Sequence, residues 1–410
     1  MSFVSHLEGI SSAAEYPADT LMNLCPVDGR PVEIVLAIDR LLDAKGQLGW
    51  YRPERNDMWR FGALLALDID DPRDQQHIVS LGEGNTPLIA LEDYPLAKKA
   101  RFHLQMKLEG RAIAGYGSNP TGSFKDRGMA MTVSMAKRHG LKRLAVPTQG
   151  NAGDSLAAYA IAAGLEAAIV MPRDTPAPII DRVDTLSRTE DCIHYELVDG
   201  TIREAGVRVR ERWLPDGYFS VATFQEPGWR IEGKKTLGLE IAEPVQPGGD
   251  WSLPDVIVYP TGGGTGLLGM WKAFSELESL GLIDERRPRM VSVQSAATRP
   301  IVDAFDNGWP DTRPAAAGHT CAVGLNVPGG VGHFRVLEIL RQSRGGAVAV
   351  EEGEIDAAMA DEFSACGGPL SPEGAAAMAA LPQLVEQNLI RESDRVVVFE
   401  TGSAAKYDTC

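Results

Sequence analysis

Short apolar runs that stop at a turn and give way to a helical stretch recur along this chain, and no other feature narrows its fold as far. Arg143-Leu144-Ala145-Val146 runs up to the Gly150-Asn151 loop, Ala167-Ala168-Ile169-Val170-Met171 up to Pro172, and Val256-Ile257-Val258 up to a glycine cluster. Met290-Val291-Ser292-Val293 ends at Gln294, and Val396-Val397-Val398-Phe399 runs into Thr401-Gly402. Strands alternating with helices predict an α/β protein whose parallel-rich sheets carry helices on both faces. Ligand loops then belong at the carboxyl ends of the strands. The length of 410 residues, 44% of them hydrophobic, is enough for two domains and a substantial core. Pro244 to Pro254 is the most linker-like run, and no internal repeat or low-complexity tract is present.

Two segments carry the chemistry. The first, Ser118-Asn119-Pro120-Thr121-Gly122-Ser123-Phe124-Lys125-Asp126-Arg127-Gly128, sets one lysine after turn formers and at the start of an apolar helical stretch, with Ser123 as its predicted cap. An ammonium beside the positive end of a helix loses part of its preference for the charged form, which suits an amine that acts as a nucleophile. The second, Thr261-Gly262-Gly263-Gly264-Thr265-Gly266, sits between an apolar run and the helical Met270-Trp271-Lys272-Ala273-Phe274. Such a loop aims several backbone N–H groups at one anion and lets a phosphate approach closely. It lacks the Gly-Lys-Ser/Thr of a nucleotide-binding P-loop and the downstream acidic residue of a dinucleotide site. A lysine and a phosphate cradle together point to a cofactor bearing both an aldehyde and a phosphate, and pyridoxal 5′-phosphate has both.

On these residues the chain resembles the fold type II pyridoxal-phosphate enzymes, the group of threonine synthase, the serine and threonine dehydratases and cysteine synthase. Asn119 to Met129 is most similar to threonine synthase. The resemblance covers nearly the whole chain and implies a two-domain architecture with the cofactor in the interdomain cleft. It divides the chain into a segment 1–80, a larger cofactor-binding domain of 81–125 and 235–410, and a smaller substrate-side domain of 126–234. It implies that Lys125 holds the cofactor as a Schiff base and later shuttles the α-proton, and that Phe124 packs on the ring. Asn151 is implied to bond the ring hydroxyl, and Gly262, Gly263, Gly264, Thr265 and Gly266 to hold the phosphate. Thr401 matches the residue facing the pyridine nitrogen; a neutral hydroxyl there does not keep that nitrogen protonated as an aspartate would, which favours elimination and replacement over transamination. Thr148, Gln149 and Gly150 correspond to the loop that binds the substrate carboxylate, with Ser123 beside them.

The first eighty residues resemble the zinc-ribbon leader of some threonine synthase relatives, but Gly9, Ser12 and Asp28 stand where cysteines are expected and only Cys25 remains. A structural zinc ion needs four soft or nitrogen ligands, so no metal is expected. The five cysteines, Cys25, Cys192, Cys321, Cys366 and Cys410, show no CxxC spacing, so no disulfide framework is expected either. A formal net charge of -16 argues against nucleic acid or an anionic membrane as partner. The first residues do not read as a targeting segment, and no apolar run approaches membrane-spanning length, so the cytoplasm is the expected location. A homodimer follows from the resemblance.

A threonine synthase acts on a phosphorylated amino acid and needs cationic donors beyond the cofactor cradle. Arg230, in Gly228-Trp229-Arg230-Ile231-Glu232-Gly233-Lys234-Lys235, fits that need; the alternative is a surface arginine paired with Glu226 or Glu232. Lys234 is a weaker candidate for the same purpose. Three features lean elsewhere. Ala152 lacks the hydroxyl usual after the asparagine and Asp154 adds a negative charge; the loop Gly262 to Gly266 is closer to dehydratases and cysteine synthases; and Ser371-Pro372-Glu373-Gly374-Ala375, in which Pro372-Glu373-Gly374 is expected as a further active-site loop before a helix from Ala375, leans toward the dehydratase pattern. The leading expectation is a lyase that converts O-phosphohomoserine to threonine and phosphate. A dehydratase-like ammonia-lyase or β-replacing enzyme is the alternative, and a non-catalytic cofactor-binding homologue the third.

Overall fold

A computed structural model describes residues 3–44, 51–246, 248–360 and 368–407; Cys366 and Cys410 lie outside them. The chain forms two compact units, Met1–Asn85 with Asn119–Leu237, and Thr86–Ser118 with Gly238–Cys410. This differs from the division expected from sequence, because the leader joins residues 119–237 in one unit. The cause is local packing. Asn23 donates to the carbonyls of Ser220 and Gln225, and Gly228, at φ 73°, lies so close to Glu33 that a Cβ would stand 2.9 Å from its Cα.

The first unit holds two sheets. The leader forms an antiparallel sheet with order Glu15–Pro17, Val4–Gly9, Val32–Leu36. The second sheet is parallel, with order Ile193–Val198, Glu166–Pro172, Arg143–Pro147, Phe219–Ser220. Its strand Glu166–Pro172 is buried from Ala167 onward, as expected of a parallel strand covered on both faces. The helices Lys125–Arg138, Asn151–Ala163 and Ala177–Thr189 belong to this unit.

The second unit has one six-stranded sheet, ordered Gly346–Val350, Arg289–Ser295, Val256–Pro260, Arg395–Glu400, His103–Leu108, Leu88–Ala90. Every pairing is parallel except the last, at the edge. Val256, Val258, Val291, Val293, Val396 and Val398 feed one apolar core with Leu104, Met106 and Leu108. Fully burying a side chain of this kind contributes about 1.5–3 kcal/mol, so the central strands hold their carboxyl ends, and the loops after them, in place.

All five apolar runs singled out in the sequence are strands, each within one or two residues of the expected ends. Two expectations fail. Pro372-Glu373-Gly374 is the first turn of the helix Pro372–Ala379, capped by Ser371, whose hydroxyl accepts from Gly374 N–H at 3.2 Å, so it is no loop. Ser123 also is not the helix cap: the helix Lys125–Arg138 is preceded by Phe124 in helical conformation. The Ser123 hydroxyl still accepts from the Lys125 N–H at 3.3 Å, one residue outside the cap position.

Candidate active site

In the first unit, Lys125 opens the helix Lys125–Arg138, and its Nζ stands 4.1 Å from the centre of the Phe124 ring. Gly122, at φ 75°, makes the turn before it. The turn is locked by Asp126, a fully buried carboxylate that accepts from Thr121 N–H at 2.7 Å, Thr121 Oγ1 at 2.6 Å and Ser155 Oγ at 2.6 Å. Ser155 lies on the helix Asn151–Ala163, so one carboxylate fixes the lysine turn against the helix that begins at Asn151. Asp126 is a positioning residue that sequence reading passed over, although it stands next to the lysine.

The loop before that helix is built from Thr148, Gln149 and Gly150. The Thr148 hydroxyl accepts from Gly150 N–H and donates to Gly150 O, both at 3.1 Å, while Thr148 N–H is held by Val170 O at 2.9 Å. Ser123, Thr148, Gln149, Gly150 and Asn151 therefore all belong to the same unit as Lys125 and Phe124. The charge expected from Asp154 is accounted for: its buried carboxylate pairs with the Arg182 guanidinium.

Arg230 also lies in this unit, on the helix Trp229–Ala242, and is 3% exposed. It is not a surface arginine. Its guanidinium donates to Thr223 Oγ1 at 2.9 Å and Met129 Sδ at 3.8 Å, both neutral. Glu232 pairs with Lys235 instead. Burial, opposed by Glu226, lowers the Arg230 guanidinium to about 10, and burial raises Glu226 to about 7.

In the second unit, strand Val256–Pro260 leads through Gly262, Gly263 and Gly264 into the helix Thr265–Ser279. The first intrahelical bond is Leu268 N–H to Gly264 O at 3.0 Å, so the N–H groups of Thr265, Gly266 and Leu267 precede the helix's own acceptors. Side chains are excluded from the loop. A Cβ would fall 2.2 Å from Gly324 O at Gly262, 2.5 Å from Val336 Cγ2 at Gly264 and 2.0 Å from Tyr259 Oη at Gly266, and Gly264 itself has φ 86°. A glycine cradle at a helix N-terminus fits the phosphate of pyridoxal phosphate.

His333, fully buried, steadies this loop from behind. Its Nε2 donates to Gly262 O at 2.9 Å and its Nδ1 lies 3.2 Å from Thr312 Oγ1. Burial lowers its proton affinity, so it serves as a neutral tether. No sequence signal marks it. Thr401, 6% exposed, follows the strand Arg395–Glu400 in the same unit. Glu400 beside it is buried and pushed up to about 8, chiefly by burial; its Oε1 accepts from Ser371 N–H at 2.9 Å.

The leader shows what became of the zinc-ribbon positions. Cys25 Sγ stands 3.3 Å from Ser12 Oγ and 3.1 Å from Tyr16 Oη, and a Cβ on Gly9 would lie 3.1 Å from the sulfur. Two of the replaced positions, Gly9 and Ser12, thus lie against the Cys25 sulfur, and neither offers a thiolate. Burial raises the Cys25 thiol, but hydrogen bonds from Ser12, Tyr16 and the backbone outweigh it and lower it overall.

The model of the pyridoxal-phosphate dependent enzyme family matches residues 79–402. The threonine synthase of Methanosarcina acetivorans is 28% identical over 406 residues, covering 98% of this chain and 92% of that one. The threonine synthase of Mycobacterium bovis is 30% identical over 332 residues, covering 80% and 83%. Among solved structures, the processed form of threonine deaminase isoform 2 from Solanum lycopersicum superposes with a TM-score of 0.62 at 22% identity, covering 82% of this chain and 87% of that one; at that identity it speaks for the fold alone. With a lysine at a helix start, a glycine cradle and these relatives, the chain belongs to the pyridoxal-phosphate dependent enzyme family, as a threonine synthase-like lyase whose cofactor is pyridoxal 5′-phosphate.

Proposed function

We propose that this enzyme converts O-phosphohomoserine and water to threonine and inorganic phosphate. The observation that carries the substrate is Arg230, buried in the unit of Lys125, whose guanidinium has the neutral Thr223 and Met129 as hydrogen-bond partners among the described residues, with Glu226 as the carboxylate acting on it, which leaves it able to take a doubly charged leaving group. When bound, pyridoxal phosphate supplies an aldehyde that captures an amine and a ring that draws electrons from the α-carbon.

The chain's own residues divide the remaining tasks. The Lys125 amine holds the cofactor and moves the proton at the substrate α-carbon. Phe124 would pack against the cofactor ring, Asn151 would hydrogen-bond its hydroxyl, and the Thr401 hydroxyl would face its nitrogen without adding charge. The backbone of Gly262 to Gly266, with Thr265, binds the cofactor phosphate. Ser123, Thr148, Gln149 and Gly150 bind the substrate carboxylate, and Arg230 binds the leaving phosphate, which departs from Cγ before water adds at Cβ.

Incubating the purified protein separately with O-phosphohomoserine, serine and threonine tests the reading. Phosphate and threonine appearing together support it. A 2-oxo acid from serine or threonine would make the enzyme an ammonia-lyase, and no product from any of them would leave a cofactor-binding homologue. The active form is read as a homodimer in the cytoplasm, which analytical ultracentrifugation and cell fractionation check; among the described residues no helix is long and apolar enough to cross a membrane.

A further inference from the structure

Behind the glycine cradle of the second unit, two buried side chains hold two successive carbonyls. Gln294, fully buried on the strand Arg289–Ser295, donates through Nε2 to Thr261 O at 3.3 Å, and its Oε1 accepts from the N–H groups of Ile301 at 2.8 Å and Val302 at 3.3 Å. A backbone N–H only donates, so the last two bonds fix which end of the amide is oxygen and leave its NH2 group for Thr261. His333 Nε2 lies 2.9 Å from Gly262 O, and a carbonyl only accepts, so Nε2 carries the proton. The Thr312 hydroxyl, 3.2 Å from Nδ1, then donates to the other ring nitrogen.

Peptide planarity carries both bonds to the far side of the loop. In a trans peptide the C=O and the N–H that follows it point in opposite directions, and no cis peptide bond occurs among the described residues. Drawing Thr261 O toward Gln294 therefore turns Gly262 N–H away from Gln294, and drawing Gly262 O toward His333 turns Gly263 N–H away from His333. Both glycines are partly exposed, and neither N–H has an acceptor among the described residues. A donor on each carbonyl also polarises its peptide, which strengthens the N–H on the other side. Left to itself, a run of three glycines would lose much conformational freedom on closing around an anion. The two tethers remove part of that loss in advance.

We propose that Gln294 and His333 are positioning residues that aim the N–H groups of Gly262 and Gly263 at the cofactor's phosphate, and so make the enzyme select the phosphorylated cofactor over pyridoxal. The inference rests on the reading of Gly262 to Gly266 as the phosphate cradle and is independent of the substrate. Each tether also joins the cradle to a distant part of the same unit: Gln294 to the helix Pro300–Asp306, and His333 to Thr312.

The test reconstitutes the full-length enzyme with pyridoxal 5′-phosphate or with pyridoxal and reads each affinity from the absorbance of the bound cofactor. The wild type prefers the phosphorylated form. Gln294→Met and His333→Leu remove the donors without adding charge, and each lowers that preference about ten- to hundredfold, with the affinity for pyridoxal largely unchanged. His333→Gln, whose amide nitrogen reaches the place of Nε2, restores it. Variants that keep the wild-type preference overturn the proposal. So do variants that lose affinity for both forms alike, because a merely structural role weakens both. If neither apolar variant folds, Gln294→Asn, one methylene too short to span Thr261 and the helix Pro300–Asp306, is judged by the same outcomes. A wild type with no preference for the phosphorylated form would remove the cradle reading itself, whereas a preference that survives the substitutions removes only the tethers.

Discussion

The two units place their chemistry in opposite ways. The first works with side chains: Lys125 supplies an amine and Arg230 a guanidinium, and Asp126 holds the turn that presents the lysine. The second works with backbone: Gly262, Gly264 and Gly266 leave no room for a Cβ, and burial shifts Glu400 up and His333 down, toward their uncharged forms. A side-chain site fails by losing a functional group, whereas a backbone site fails by gaining an atom. The two units should therefore break under different substitutions.

Lys125→Ala is the strongest test of the side-chain unit. It should abolish the visible absorbance of the bound cofactor and lower turnover by about a thousandfold or more; a protein that retains both would refute the assignment. The matching test of the backbone unit is Gly266→Ala, which adds one methyl 2.0 Å from Tyr259 Oη. Overpacking of this kind costs about 1–3 kcal/mol, and it should weaken cofactor affinity while Lys125 stays reactive. Unchanged affinity and thermal midpoint would show that the loop has slack the geometry denies.

A pH experiment sharpens the contrast. Glu400 ionises at about 8 in the fold against 4.5 when unfolded, because burial disfavours its charge. Between those values the folded state keeps a proton that the unfolded state releases, so the stability contributed by this group is fully present below 4.5 and is lost as pH rises through about 8. At about 1.4 kcal/mol per pKa unit the loss is at most about 5 kcal/mol. Glu400→Gln should flatten that decline in urea unfolding measured from pH ~5 to ~8; an unchanged slope would mean that Glu83 and Glu226, raised to about 7 in the first unit, dominate it. The smallest effect is expected at the leader. Treatment with a chelator should leave the thermal midpoint unchanged, since Gly9, Ser12 and Asp28 stand where a ribbon would have three further cysteines.

Much of the fold was legible because strand and helix signals are local. The runs ending at Gly150, Gly262 and Thr401 are strands, and the glycine cluster leads into a helix at Thr265 as expected. The leader's antiparallel sheet, the strand His103–Leu108 and the first turn at Pro372 were not read, since their apolar pattern is mixed or their pairing lies far along the chain. Candidate site residues were legible where a motif is contiguous. Arg230 was readable as either a surface or a functional residue, and only its burial separates the two.

By itself, then, the sequence determined the α/β class, the lysine turn and the glycine cradle, because hydrophobic period, turn residues and the absence of a Cβ act over a few neighbouring residues. The tertiary structure alone decided that Asp126 gathers three donors, that His333 tethers Gly262, that Arg182 answers Asp154, and that Lys234 shares a ring with Lys125. Burial and electrostatic field are sums over residues remote in the chain, and no local pattern carries them.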